Sequence, residues 1–230
     1  FNFEDYEKQL VDSFAAGTGP DIWLMHNTWL PKHYDKIQPL PQQILEGQKA
    51  PLFTFKDFLD QFVDVTVKDL TSGGQIYALP VYVDTLALFY NKELFNSAGI
   101  TVPPTTWDEF NSAVQLLTAY DERGNIARAG AAIGTAKNIN RSTDILSLLM
   151  MQSGTKMTDA DNSSAAFTRS VDGVKVGENA LQYYTDFARR SNALTYTWND
   201  SQHYSIDAFL EGNAAMMFNY SHHIRTIRDK

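Results

Sequence analysis

Apolar residues at Phe3, Tyr6, Leu10, Val11 and Phe14 recur at three- and four-residue spacing, which predicts a helix with Gly17 as its left-handed cap. Gly19-Pro20 cannot continue it, and the apolar run at residues 21–25 predicts a short buried strand. Residues 81–90 are β-branched and aromatic; with the Gly73-Gly74 turn and the strand-like run 75–79 before them, they predict further strands. Asn91 is placed to cap a short helix ending at Gly99. Thr106 and Glu109 form a capping box for a longer helix reaching about Tyr120, with Pro103-Pro104 just upstream. A turn at 121–125 and a strand at 129–134 follow. A buried helix over 142–152 closes at Ser153-Gly154, and 159–164 is a polar loop. Ala180, Leu181, Tyr184 and Phe187 share one face of a helix over 177–190. Ser205 is expected to cap a short helix to Glu211, Gly212 to end it, and 214–218 to form a strand entering a last helix from Ser221. Strands alternating with helices predict an α/β fold with mixed or parallel sheets.

Length and composition narrow the function classes. The chain has 230 residues, enough for one to two domains. With 43% hydrophobic and 20% charged residues it reads as globular rather than disordered. Its 14 Phe, 11 Tyr and 4 Trp can build a core and still line a site. A net charge of −8 argues against a phosphate-backbone partner. The absence of cysteine excludes disulfides, a thiol nucleophile and thiolate zinc sites. The longest nearly apolar run, 145–151, is far short of the ~20 residues of a membrane span. Because the chain starts at Phe1 with no leader, the expectation is a processed product or a piece of a longer chain, with any targeting segment outside it.

Three segments, taken in order, resemble one family. The first is Phe14-Ala15-Ala16-Gly17-Thr18-Gly19-Pro20-Asp21-Ile22. The second runs from Gly74-Gln75-Ile76-Tyr77-Ala78-Leu79-Pro80 through Val83-Asp84-Thr85 to Tyr90-Asn91-Lys92, then Pro104-Thr105-Thr106-Trp107-Asp108-Glu109. The third is Ala208-Phe209 with Gly212 and Ala214-Ala215-Met216. Together they resemble the extracellular solute-binding proteins of ABC importers (family 1), the group that includes the maltose-binding protein. The resemblance implies a type II periplasmic-binding-protein-like α/β fold of two doubly wound lobes joined by a β hinge. Residues 1–83 would be part of the N-terminal lobe and 84–230 most of the C-terminal lobe, with a crossing near 80–85 and the first strand and C-terminal part lacking. It also implies a monomer outside the cytoplasmic membrane, periplasmic or lipid-anchored, that captures a small solute by hinge closure and delivers it to a membrane permease. A sugar or oligosaccharide is the expected solute; no cofactor, metal or nucleic acid enters.

Candidate contacts follow from both readings. Asp84 lies among Val81, Val83, Leu86 and Leu88, where a carboxylate is costly without a partner, and it matches the family's acidic cleft residue. The alternative is a capping Asp. Tyr82 alternates with it along the strand and is a candidate that faces the cleft or a different surface. Asn27, Thr28 and Trp29 follow the predicted strand at 21–25, where α/β folds place ligands, with an ordinary core place as the alternative for Trp29. Asn140 and Arg141, in the run from Lys137, precede a helix and offer donors and acceptors to a hydroxylated or carboxylate ligand, or else belong to a solvated loop. Tyr220 and His222 match the family's second-lobe wall, where sugar binders often carry a stacking aromatic; this chain has no Trp there.

Other signals are weaker. His203, His222 and His223 fit no zinc spacing. Tyr183-Tyr184 resembles a paired-tyrosine iron site but suits an amphipathic helix better. Asp159, Asp161 and Ser163 begin like a calcium loop without its Gly and closing Glu. The rival functional readings are a carbohydrate-active hydrolase, for which no paired-carboxylate, Gly-x-Ser-x-Gly or His-Glu-x-x-His motif is present, and a non-transport sensor lobe.

Overall fold

The apolar spacing at the N-terminus winds into α1 (Phe3–Ala15), and Gly17 follows it at φ 71°, a conformation that glycine adopts without steric cost. The computed structural model describes residues 3–42, 53–192 and 194–229. The chain divides into two compact units, Phe1–Val83 and Asp84–Lys230.

In the first unit, α1 is tied to α2 (Leu30–His33) where Glu7 Oε1 meets His33 Nε2 at 2.8 Å, with Leu10, Trp29 and Leu30 buried. A capping box of Thr54 and Asp57 opens α3 (Phe55–Gln61), which is followed by α4 (Asp64–Leu70). The chain then turns over Gly73 and Gly74, both at positive φ, to pair β1 (Thr71–Ser72) with β2 (Gln75–Ile76). Phe58, Leu70 and Ile76 form the local core. The strand expected at 21–25 is not formed: Ile22 is 91% exposed and Leu24 67%. An apolar run becomes a buried strand only against a neighbouring strand, and among the described residues of this unit the β1–β2 pair is the only ladder.

The second unit is built around β6 (Met216–Tyr220). One edge of it pairs antiparallel with β3 (Leu86–Tyr90), from Leu86 opposite Tyr220 to Tyr90 opposite Met216. The stretch 129–132 meets 214–217 in parallel, through Ala129 with Ala214 and Ala132 with Met217. This mixed pairing replaces the full strand expected at 129–134. Gly130 allows it, since a Cβ there would lie 2.5 Å from the Val114 carbonyl oxygen. The strand expected over 81–90 begins only at Leu86, because its partner leaves the sheet after Tyr220; Val81 and Tyr82 are 76% and 81% exposed.

Asn91 caps α5 (Lys92–Ser97), accepting from the amides of Glu93 and Leu94, and the Thr106–Glu109 capping box opens α6 (Trp107–Leu117). Helix α6 stops three residues before Tyr120. Its continuation pairs as β4 (Ala119–Tyr120) with β5 (Ile126–Arg128) across the expected 121–125 turn. Helices α7 (Ser142–Gln152) and α8 (Val176–Asp186) pack together, with Ile145, Leu149, Ala180, Tyr184 and Phe187 buried; Leu181, expected on that face, is 44% exposed. Ser205 does not cap α9 (Ser205–Leu210): it is the first helical residue, fully buried, and its Oγ accepts the Asn140 amide at 2.9 Å. After β6 comes a 3-10 turn, Ser221–His223, and then α10 (Ile224–Arg228). Phe110, Val114, Leu117, Ile133, Trp198, Met216 and Met217 fill the core.

Candidate functional site

Both chain segments leave the sheet where the β3–β6 ladder ends. Asp84 and Thr85 lie just before β3, and Ser221 and His222 just after β6; the Ser221 amide donates to the Thr85 carbonyl at 3.0 Å. Register alone therefore delivers Asp84 to the Ser221–His222 turn. Its Oδ1 accepts from the Thr85 amide at 2.9 Å and from the Ser221 hydroxyl, and its Oδ2 lies 2.5 Å from His222 Nδ1. Burial pushes the Asp84 pKa up, but the hydrogen bonds from Ser221, His222 and the Thr85 amide outweigh it and bring it down from 3.8 to about 2. Asp84 is thus a carboxylate whose two oxygens are both engaged.

Beside it, the N-terminus of α7 supplies a second layer. Arg141 stands just before the helix in left-handed backbone, φ 65° and ψ 28°, a strained conformation for a residue with a side chain. Its guanidinium carbon lies 5.0 Å from the Tyr220 ring centroid, a cation–π contact. The Tyr220 hydroxyl donates to Asp144 Oδ2 at 3.2 Å, and burial together with that carboxylate pushes the phenol's pKa up. The His222 ring stacks on Tyr220 (6.3 Å, 14°), and His223 lies 4.2 Å from His222. Burial, with His222 and Arg141 adding to it, lowers the His223 pKa. Asn140 binds behind this wall: its Nδ2 donates to Asn219 Oδ1 at 3.2 Å, and its Oδ1 accepts from the Tyr204 hydroxyl at 3.3 Å. Asn219 is fully buried, and its Nδ2 has no hydrogen-bond partner among the described residues.

Five predicted residues, Asp84, Asn140, Arg141, Tyr220 and His222, thus lie in one connected cluster of the second unit. The other four lie in the first unit. There Asn27 Nδ2 donates to Asp69 Oδ2 at 2.7 Å, and Thr28 Oγ1 lies 2.9 Å from His26 Nδ1. Trp29 is buried against Tyr6, at 6.2 Å between rings, and Tyr82 is solvent-exposed. Sequence reasoning missed Asp144 and His223 as cluster members, and it placed Ser221 in the run 219–222 that matches the family's wall without a role for its hydroxyl. Asp144 was findable, since three residues after Arg141 it stands on the same helix face. Tyr183 and Tyr184 are occupied structurally, donating to Asn111 Oδ1 at 2.8 Å and to the Thr135 carbonyl at 2.7 Å. Asp159 accepts from the Ser163 and Ser164 amides within its own loop. Among the described residues no three His, Cys, Asp or Glu side chains group to hold a metal ion, and no helix is long and apolar enough to cross a membrane.

Comparison with known proteins gives consistent results. The family model described as bacterial extracellular solute-binding protein matches residues 2–229. A putative binding protein of Brucella abortus is 26% identical over 213 residues, covering 91% of this chain and 46% of its own length. A maltotriose-binding protein of Pyrococcus abyssi is 26% identical over 113 residues, 48% of this chain and 22% of its own. Among solved structures, an ABC transporter solute-binding protein from Thermotoga lettingae bound with alpha-D-tagatose superposes with a TM-score of 0.71 at 25% identity, covering 99% of this chain and 54% of that one. The chain spans about half the length of the first relatives it matches, and its fold is that of the type II periplasmic sugar-binding proteins.

Proposed function

The chain belongs to the bacterial extracellular solute-binding proteins, over residues 2–229, and from that membership we propose that it is the solute-capturing component of an ABC transporter, taking a small saccharide outside the cytoplasmic membrane. The observation that carries this reading is the wall at the end of the β3–β6 ladder. It combines one aromatic face, Tyr220, with the exposed Arg141 guanidinium that lies over it and the Asp84–His222 pair. Aromatic faces cover the apolar faces of sugar rings, and charged and amide side chains satisfy their hydroxyls. Relatives described as binding maltotriose and tagatose support the saccharide class.

Capture proceeds by hinge closure near residues 80–85, between lobes to which 1–83 and 84–230 contribute, and the closed form is what a membrane permease senses. Asn27, Thr28, Trp29 and Tyr82 are the contacts proposed from the first unit. The protein acts as a monomer, periplasmic or lipid-anchored, and binds without turnover; the relatives reported above are binding proteins, not enzymes. Native mass spectrometry of the purified protein incubated with maltotriose, galactotriose and mannotriose tests the reading. A discrete one-to-one adduct with the oligosaccharide recovered intact is the expected result. Shortened oligosaccharides in the supernatant would instead identify a hydrolase.

A further inference from the structure

One short loop reaches two aromatic rings. Arg141 lies over Tyr220, and its neighbour Asn140 accepts from the Tyr204 hydroxyl at 3.3 Å. Tyr204 comes from a different part of the chain, just before α9, and its backbone is anchored on both sides. Ser205 beside it is fully buried; the Ser205 amide donates to the Asn138 carbonyl at 2.9 Å, and its Oγ accepts the Asn140 amide at 2.9 Å. Asn138 Nδ2 also donates to the carbonyls of Asn199 and Gln202, both at 3.0 Å, which holds the segment leading into Tyr204. The two rings differ in what already lies against them. Tyr220 carries the Arg141 guanidinium and the stacked His222 ring. Tyr204 is 42% exposed, and among the described residues no aromatic ring or cation stacks on it.

We propose that Tyr204 is a second stacking face of this site and that the solute is an oligosaccharide, with one sugar unit on Tyr220 and a neighbouring unit on Tyr204. A sugar ring presents an apolar face that an aromatic ring covers, and a tyrosine already anchored through its hydroxyl and backbone loses little freedom in doing so. Two amide side chains in series, Asn140 and Asn219, stand between the Tyr204 hydroxyl and the Tyr220 backbone, across bonds of 3.3, 3.2 and 2.9 Å. The rings are thus set apart as two subsites that border one loop. Chain length, not charge, is what such a pair of faces discriminates. The inference rests on the solute-binding reading above and names the saccharide length that the same site takes.

The test is isothermal titration calorimetry at pH 7 on the whole chain. The probes are maltotriose, galactotriose and mannotriose, each against its own monosaccharide: glucose, galactose and mannose. The expected result is that one trisaccharide binds at least about tenfold more tightly than its monosaccharide. Tyr204→Ala should remove that advantage with an unchanged circular dichroism spectrum, while changing monosaccharide affinity by about threefold or less. Tyr204→Phe, which keeps the ring and loses the bond to Asn140, should retain most of it. If a monosaccharide binds as tightly as its trisaccharide, or Tyr204→Ala leaves the trisaccharide unchanged or weakens both sugars equally, the second face is overturned while solute binding stands. If no probe binds, both fall together.

Discussion

His222 Nδ1 lies 2.5 Å from Asp84 Oδ2, although 138 positions separate the two residues in the chain. The contact is set by strand register. Leu86 pairs with Tyr220, so the residues just outside the ladder on either strand face one another. The bond engages Nδ1 and leaves Nε2 of the same ring open, so in the binding reading proposed above Asp84 orients the His222 ring.

That arrangement has a pH signature. The Asp84 carboxyl is held at about 2 in the folded chain against an ordinary 3.8. Its pairing therefore stabilises the fold above about pH 4, and the contribution is lost as pH falls from there toward 2. Asp84→Asn should cost roughly 1–2 kcal/mol at pH 7 after solvent screening. Urea unfolding at pH 7, 4 and 3 should show the gap between wild type and variant narrowing with acid; a constant gap would remove the carboxylate from the account.

Tyr220 separates a ring contact from a hydroxyl contact. Tyr220→Ala should weaken the binding of whichever saccharide forms an adduct by about tenfold or more. Tyr220→Phe removes only the bond to Asp144 and should weaken it by about threefold or less. Equal losses in calorimetry would mean that the ring face does not touch the solute.

Thr197 is a load point of the core. It is fully buried, and its Oγ1 accepts from the Gly130 amide at 2.7 Å and the Ala131 amide at 3.3 Å while lying 2.8 Å from Thr118 Oγ1. Thr197→Val keeps the shape, strands the Ala131 amide and leaves the Gly130 amide only its 3.2 Å bond to Thr118 Oγ1, so it should cost about 1–3 kcal/mol in chemical denaturation. Hydrogen exchange at Gly130 should speed up in the same variant; unchanged exchange would show that water replaces the hydroxyl.

At the surface, Thr106 accepts the Glu109 amide and Glu109 reaches back to the Thr105 and Thr106 amides. Thr106→Ala should lower stability by about 1 kcal/mol without changing solute affinity. A loss of affinity would tie α6 to the wall in a way its position does not suggest.

What the sequence made legible was local. The Thr106–Glu109 box, the Asn91 cap and the Gly17 and Gly212 stops each lie within a few residues of the structure they specify, and each forms. What failed depended on distant partners. The run 21–25 reads as a strand from its side chains, but pairing is decided elsewhere, and Ile22 ends exposed. Ser205 reads as a cap, yet its hydroxyl is claimed by an amide 65 positions away. The site divided in the same way. Asp84 stood out as a carboxylate among apolar neighbours, and Tyr220 and His222 through the family resemblance. His223 read only as a candidate metal ligand, and Ser221 lay in the same run with nothing in the sequence to show what its hydroxyl meets. Only the ladder register shows that Ser221 closes on Asp84.

The backbone at Arg141 carries one more consequence. Left-handed φ costs a residue with a side chain roughly 1 kcal/mol or more relative to glycine. A search for heat-resistant variants would thus be expected to select glycine at this position and discard the guanidinium with it. The same change would strip Tyr220 of its cation–π partner, so the hardened chain would hold that ring only by its bond to Asp144 and its stack on His222.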